Sequence, residues 1–432
     1  MNIEDWIECS LGDLLKLKNG YAFKSSKYQN EGVPVLRIGD IQDWNVDIKN
    51  AKRIEEDEEY DSHIVNKGDI LIAMSGATTG KFGIYNSEEK AYQNQRVGNL
   101  IPHSKKYTLK NYIYYLLYSL KRDIEQQAYG GAQPNISATK IEALSTKLFP
   151  LPIQKAIVKK IEALFTHLDS GIADLKKAQD QLVIYRQAVL KKAFERELMK
   201  NAEKYKLKNI TSKIGSGSTP KGGQANYKTS GIPLIRSLNI HFDHIKYDGL
   251  AFIDESQAEK LKNVIVQQGD VLLNITGASI GRVNIAPNEF DNGRVNQHVS
   301  IIRPKDKIFN TKFLKLYIQS SKIQSWIANV NVGATRQGLT KSALENLEIP
   351  VPSLQEQHQI ISDIESRLSV CDTVEKDIAN SLEKAQALRQ SILKKAFDGK
   401  LLNEEEIAAC KAHRDYEPAS VSLERIRAEK TK

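Results

Sequence analysis

The second half of this 432-residue chain repeats the first. "GDILIAMSGATTGKFGI" (68–84) returns as "GDVLLNITGASIGRVNI" (269–285), and "GVPVLRIGDI" (32–41) as "GIPLIRSLNI" (231–240). "QNQRVGNLIP" (93–102) matches "VNQHVSIIRP" (295–304), "FPLP" (149–152) matches "IPVP" (349–352), and "RQAVLKKAF" (186–194) matches "RQSILKKAF" (389–397). Self-similarity of this kind means one fold built twice, and it has to be read before any single motif. The offset between partners wanders from 199 to 203 over the first part of each copy. It then holds at 203 from Ile157/Ile360 to Phe194/Phe397. Loops absorb insertions at small cost, whereas one inserted residue turns a helix face by about 100°. Each copy is therefore a loop-rich domain followed by a long helix of fixed register.

The apolar pattern of the locked stretches agrees. Ile157, Ile161, Leu164, Leu168, Ile172, Leu175, Ala178, Leu182, Tyr185 and Val189 recur at spacings of three and four in the first copy. Ile361, Ile364, Leu368, Cys371, Ile378, Leu382, Ala385, Leu388 and Ile392 do much the same in the second, with one step of seven after Cys371. Four or more such heptads predict a coiled coil, and two equal stripes on one chain are satisfied by packing antiparallel on each other. Helices of about 40 residues would span about 60 Å. The Pro-x-Pro pairs Pro150/Pro152 and Pro350/Pro352 are expected to stop the preceding strand and set each helix start. The globular parts mix short apolar runs such as "VPVLRI", "DILIAM", "DVLLNI" and "HVSIIRP" with amphipathic helical segments at 109–127 and 311–330. The aromatics of those helical segments are read as core and not as a base-stacking platform. The predicted class is α+β: two mixed α/β domains, at 1–152 and 205–352, separated by two long antiparallel coiled-coil helices in regions 153–204 and 353–402. A charged tail follows at 403–432, and a pseudo-two-fold repeat relates the halves.

Charge narrows the partner. The net charge is +9, but residues 1–149 carry 19 Lys or Arg against 20 Asp or Glu, whereas residues 206–349 carry 19 against 11. A basic surplus suits an anionic partner such as nucleic acid, or equally a solvated surface. The acidic run "EEDEEYD" (55–61) reads as a solvated loop. No stretch approaches 18 apolar residues and the N-terminus has no secretory pattern, so a cytoplasmic protein without a membrane span is expected. Cys9, Cys371 and Cys410 are scattered, which favours neither a disulfide framework nor a metal site.

Catalytic signatures are not found. "SGATTGK" (75–81) has three residues between its glycines where a P-loop needs four, and Phe82 follows Lys81 where a P-loop has the magnesium-binding hydroxyl. A repeated turn between two strands is the better reading. No Asn-Pro-Pro-aromatic or Asp-Pro-Pro-aromatic run of an amino-methyltransferase is present. His63 and His244 lie near acids, but in turn-like surface stretches.

The joined features resemble the specificity subunit of type I restriction–modification systems over nearly the whole chain. They are "GSTPKGG…YKTSGIPLIRS" (217–237), the "TGASIGR" turn, the "IPVPSLQEQ" entry (349–357), the "LKKAF" helix end and the "EPASVSLERIRAEK" tail (417–430). The resemblance implies a non-catalytic DNA-reading scaffold. Each target-recognition domain would read one half of a split double-stranded DNA site, and the antiparallel helices would set the unread spacer. Two methyltransferase subunits would dock on the chain, with two restriction subunits in the full complex. S-adenosylmethionine, ATP and magnesium would belong to those partners, with no cofactor in this chain.

Within that frame, DNA-contacting residues are sought among donors on loops held by strands. The candidates in the second domain are Ser218, Thr219 and Lys221 in "GSGSTPKGG" (215–223), where the first domain has Lys24 in "GYAFKSS" (20–26). Arg37 and Arg236 follow an apolar strand at equivalent places, to reach a guanine edge or to pair with an acid at the core rim. Lys81 and Arg282 keep positive charge at the repeated turn and suit a phosphate. Gln95 and Arg96 are matched by Gln297 and His298 within a shared frame, as readers of different half-sites or as sheet-facing structural residues.

Overall fold

Alternation along one central strand organises each half. In the computed structural model, which describes residues 5–42, 44–128, 134–220, 223–305, 308–330 and 338–431, strand Ile70–Ala73 is buried throughout. Successive side chains of a strand point to opposite faces. Ile70 and Ile72 therefore enter a large core with Tyr112, Leu116 and Phe149, while Leu71 and Ala73 enter a smaller one with Leu36, Ile41 and Val97. Strand Val271–Asn274 repeats the device: Val271 and Leu273 join a core with Phe313 and Ile349, and Leu272 joins one with Leu234 and Phe290. Both domains need cover on both faces of this strand, which is why its sequence reads as an unbroken apolar run.

The chain divides into two compact units, Met1–Ala173 with Ser381–Lys432, and Asp174–Asn380. In the first, a six-stranded sheet runs in the order Leu15–Asn19, Val97–Pro102, Ile70–Ala73, Phe82–Ile84, Trp44–Val46, Ile41–Gln42. A four-stranded sheet has the order Lys52–Ile54, Val33–Leu36, Ala91–Gln93, Ile64–Val65. In the second unit the corresponding sheets have four strands (Thr211–Ser216, Val299–Pro304, Val271–Asn274, Val283–Ile285) and three (Ala251–Ile253, Ile232–Ile235, Arg294–Val295). Helices Lys110–Ser119 and Thr311–Gln319 cover the large cores, and their Tyr112, Tyr118, Phe313 and Tyr317 are buried, as core aromatics should be. The Gly-Asp step before each central strand is structural. Asp69 receives the Asn66 N–H and the Lys110 ammonium, and Asp270 is gripped by Arg303 at 2.6 and 2.8 Å.

The locked register appears as two helices of identical length, Leu151–Phe194 and Leu354–Phe397, 44 residues each. At 1.5 Å per residue each is about 66 Å long. Their starts differ although their registers match. The first takes Pro152 into its opening turn, where a missing N–H costs nothing, so the first Pro-x-Pro does not sit wholly ahead of its helix. The second is preceded by Ser353, whose Oγ and N–H exchange bonds with Glu356 in a capping box. Within the second unit, Arg186 pairs with Asp372 (2.6 Å) and Glu375 (2.9 Å), and Arg196 with Asp363 (2.7 Å). Numbers rise on one helix as they fall on the other, so the packing is antiparallel. Within the first unit, Arg389 pairs with Asp169. Adding 203 to Arg186 and to Asp169 gives Arg389 and Asp372, so the two ion pairs are one contact built twice.

The seam holds most of the expected residues. Ile161, Ile364 and Ile378 are buried, and Leu164, Leu168, Leu175, Leu182, Leu368 and Leu382 are half-buried. Leu388 is not in it. That side chain is 51% exposed, and its equivalent Tyr185 is 46% exposed. The next residues, Arg389 and Arg186, take the position one step, or about 100°, further round. Arginine fills a seam with its methylene stem while its guanidinium finds an acid at the edge. The C-terminal stretch 403–432 is also more than a charged tail. Helices Glu404–Lys411 and Ala419–Lys430 bury Cys410, Leu423 and Ile426 in the first unit's core, and Arg427 clamps Asp13 at 3.0 and 3.1 Å.

Candidate nucleic-acid interface

The repeated turn is a hairpin connection, not a nucleotide loop. Strands Ile70–Ala73 and Phe82–Ile84 pair antiparallel, as do Val271–Asn274 and Val283–Ile285, and no helix follows either turn. Gly76 and Gly80 have φ of 80° and 85°, and Gly277 and Gly281 have 76° and 88°. Side chains with a Cβ avoid this left-handed region, so the four glycines are required by the turn itself.

In the first unit this hairpin meets two other segments. Met74 N–H donates to Arg96 O (2.9 Å), Ile136 N–H to Met74 O (2.9 Å) and Gly76 N–H to Pro134 O (3.0 Å). Together they frame an open polar cleft of about 480 Å³, lined by Asn19, Ser75, Gln95, Arg96, Asn135 and Ser137 among others. Gln95 and Arg96 occupy an exposed turn between strands Ala91–Gln93 and Val97–Pro102, so the sheet-facing alternative for them does not hold. Among the described residues neither the Arg96 guanidinium nor the Ser75 Oγ has a polar partner.

The second unit builds the same place with different contacts. Gln297 and His298 lie in the turn between Arg294–Val295 and Val299–Pro304. Ile275 N–H donates to His298 O (2.9 Å), the counterpart of the Met74–Arg96 bond. Here the side chains are linked in a row. Thr276 Oγ1 bonds His298 Nδ1, His298 Nε2 lies 3.1 Å from Gln297 Nε2, and Thr219 Oγ1 donates to Gln297 Oε1. Ser218 stands exposed beside Thr219. The glycine before them has a structural task. A Cβ on Gly217 would come within 1.8 Å of Val295 O, and one on Gly20 within 2.2 Å of Gln93 O. Their close approach is to the domain's own strand.

The other candidates lie apart from these clusters. Lys24 is exposed ahead of the short helical turn Ser25–Lys27. Arg37 lies 6.0 Å from the Tyr28 ring centroid with its Nε 3.9 Å from Asp40, and Arg236 lies 5.0 Å from the Tyr227 ring and donates to Gly249 O. Each is part of a domain-rim arrangement made twice. Lys81 and Arg282 are half-exposed without an ion pair among the described residues, but Lys81 does not line the cleft. Lys221 lies outside the described residues. His63 is packed beside Tyr21, and burial pulls its pKa down. His244 is exposed and pairs with Asp243.

The model of the type I restriction modification DNA specificity domain matches residues 3–177 and again 199–384. The chain belongs to that family. Its two matches coincide with the two repeats. As a whole, this family member is 27% identical to the EcoBI specificity subunit of Escherichia coli, over 99% of this chain and 93% of that protein. It is 26% identical to the putative MjaX specificity subunit of Methanocaldococcus jannaschii, over 92% and 94%. Two solved structures share the fold. A chain from a study of type I R-M complex assembly and conformational transition superposes with a TM-score of 0.70 at 18% identity, covering 93% of this chain and 100% of that one. The HsdS subunit of Thermoanaerobacter tengcongensis gives 0.52 at 16%, covering 92% and 98%.

Several residues of this specificity subunit's cleft were not singled out in the sequence. Ser75 and Thr276 are one position ahead of the repeated glycine at equivalent places, and a polar residue there twice was a readable signal. Asn19 and Asn135 carried no such signal, because only folding brings them to the hairpin.

Proposed function

We propose that this specificity subunit reads a split double-stranded DNA site, one half with the Gln95–Arg96 cleft and the other with the Thr219–Gln297–His298 row. One observation carries the reading: an equivalent backbone frame, made twice, presents different polar side chains at its open edge. That is what two unlike half-sites require. Arg96 would donate to a guanine edge and Gln95 would pair with an adenine edge, while Lys24, Lys81, Ser218 and Arg282 would serve phosphates. The long helices set the number of unread base pairs. Their exposed Val183, Ile184, Val370 and Val374 suit the docking of methyltransferase subunits, two per chain, with two restriction subunits in the complete assembly. Methyl transfer and translocation then rest on those partners, which bring S-adenosylmethionine, ATP and magnesium. The test is sequencing of methylated adenines in cells carrying this chain with its methyltransferase. A motif of two unlike halves around a fixed gap is expected, and a contiguous motif would contradict the reading.

A further inference from the structure

Two glutamines in the opening turns of the long helices are fully buried, Gln154 and Gln357, each with no exposed surface. Polar side chains are rarely buried so completely unless every polar atom has a partner. Gln154 Nε2 donates to Tyr107 O (3.0 Å) and Phe149 O (2.8 Å), and its Oε1 accepts the Leu109 N–H (3.1 Å). Gln357 Nε2 donates to Ile308 O (3.1 Å) and Pro352 O (2.9 Å), and its Oε1 accepts the Asn310 N–H (2.8 Å). The pattern is the same in both units. One amide joins the chain entering the long helix to the segment that starts the recognition domain's own covering helix, Lys110–Ser119 or Thr311–Gln319.

An apolar side chain would fill this space by contact alone, which is non-directional. Three directed hydrogen bonds fix an angle as well as a distance. We propose that Gln154 and Gln357 are positioning residues that fix the angle between each recognition domain and its long helix, and so hold the subunit to one spacer length. The proposal rests on the split-site reading above. A small swing suffices: on any lever arm of about 20 Å, a rotation of about 10° displaces the far end by about 3.5 Å, one base pair's rise.

The test compares the full chain, assembled with its methyltransferase, as wild type, Gln154→Met and Gln357→Met. Methylation is measured on DNA carrying the native half-sites with the native gap, one base pair fewer, and one more. The wild type is expected to modify the native gap. Each Met variant is expected to raise modification of an off-length gap, relative to the native one, by about tenfold, the equilibrium worth of roughly one net hydrogen bond. The half-site sequences should not change. Ile253→Ala, in the second unit's smaller core to which neither long helix contributes a buried residue, serves as a control for lost stability and should keep the native gap. If the Met variants do not assemble, Gln154→Asn and Gln357→Asn keep an uncharged amide one methylene shorter, which cannot make all three bonds in the native geometry, and carry the same readout. A folded variant with wild-type gap discrimination overturns the proposal. A wild type that recognises no gapped site overturns the underlying reading instead.

Discussion

The two reading clefts differ in how their side chains are held, although their frames agree. In the first unit the Arg96 guanidinium is unpaired beside Ser75 among the described residues, whereas in the second Thr276, His298, Gln297 and Thr219 form a connected row. The frame beneath is shared down to the backbone bonds Met74–Arg96 and Ile275–His298 and to the glycines Gly20 and Gly217. Stability and recognition are thus carried by different residues. The frame is free to repeat, and the edge is free to vary. A connected row loses less side-chain freedom when it binds than an unpaired arginine does.

The largest effect should test whether the frames are equal. Ile161 and Ile364 are equivalent and both fully buried. Changing either to Asp should cost about 3–5 kcal/mol, as a buried unpaired charge does. The exposed Leu388→Asp should stay within about 0.5 kcal/mol. Urea denaturation measures all three, and a large loss for Leu388→Asp would return that residue to the seam.

A smaller effect should separate the two seam arginines. Arg389 lies 4.6 Å from the Phe165 ring centroid and 5.5 Å from Trp44 in addition to pairing Asp169, whereas Arg186 pairs with two carboxylates and, among the described residues, with no ring. Arg389→Ala should cost about 1–2 kcal/mol and Arg186→Ala about 0.5–1 kcal/mol. Equal losses in thermal denaturation would mean that the rings add nothing.

The seam also marks how far the sequence could be read. The helices and their equal length follow from the fixed offset of 203, because helix register tolerates no insertions, and their antiparallel packing follows from two equal apolar stripes on one chain. Leu388 and Tyr185 misled because apolar periodicity gives an arginine no credit for its stem. Arg96 and His298 were legible as residues that vary in a shared frame, beside Gln95 and Gln297, which stay the same. Lys81 keeps its place at the repeated turn but does not line the cleft, which the sequence alone did not say. The tail misled for a related reason: charges at 424–430 mask Leu423 and Ile426, which share one buried helix face.

The smallest effect concerns that tail, a contact of the first unit. Its hydrogen bonds to Arg427 hold the Asp13 pKa at about 2, below the ordinary 3.8. A carboxylate with a depressed folded pKa adds stability that is fully present above pH ~4 and is lost as pH falls towards ~2. The stability gap between wild type and Asp13→Asn should therefore close across that window, followed by acid unfolding. A gap that does not depend on pH would mean that the ion pair contributes nothing.

The division of labour between the clefts is tested most directly by mapping methylated motifs for Arg96→Ala and His298→Ala, each assembled with the methyltransferase. Arg96→Ala should relax the sequence of one half-site by about 1–3 kcal/mol of discrimination, and His298→Ala should affect only the other half. Both changes altering the same half, or both leaving the motif intact with methylation retained, would contradict the account.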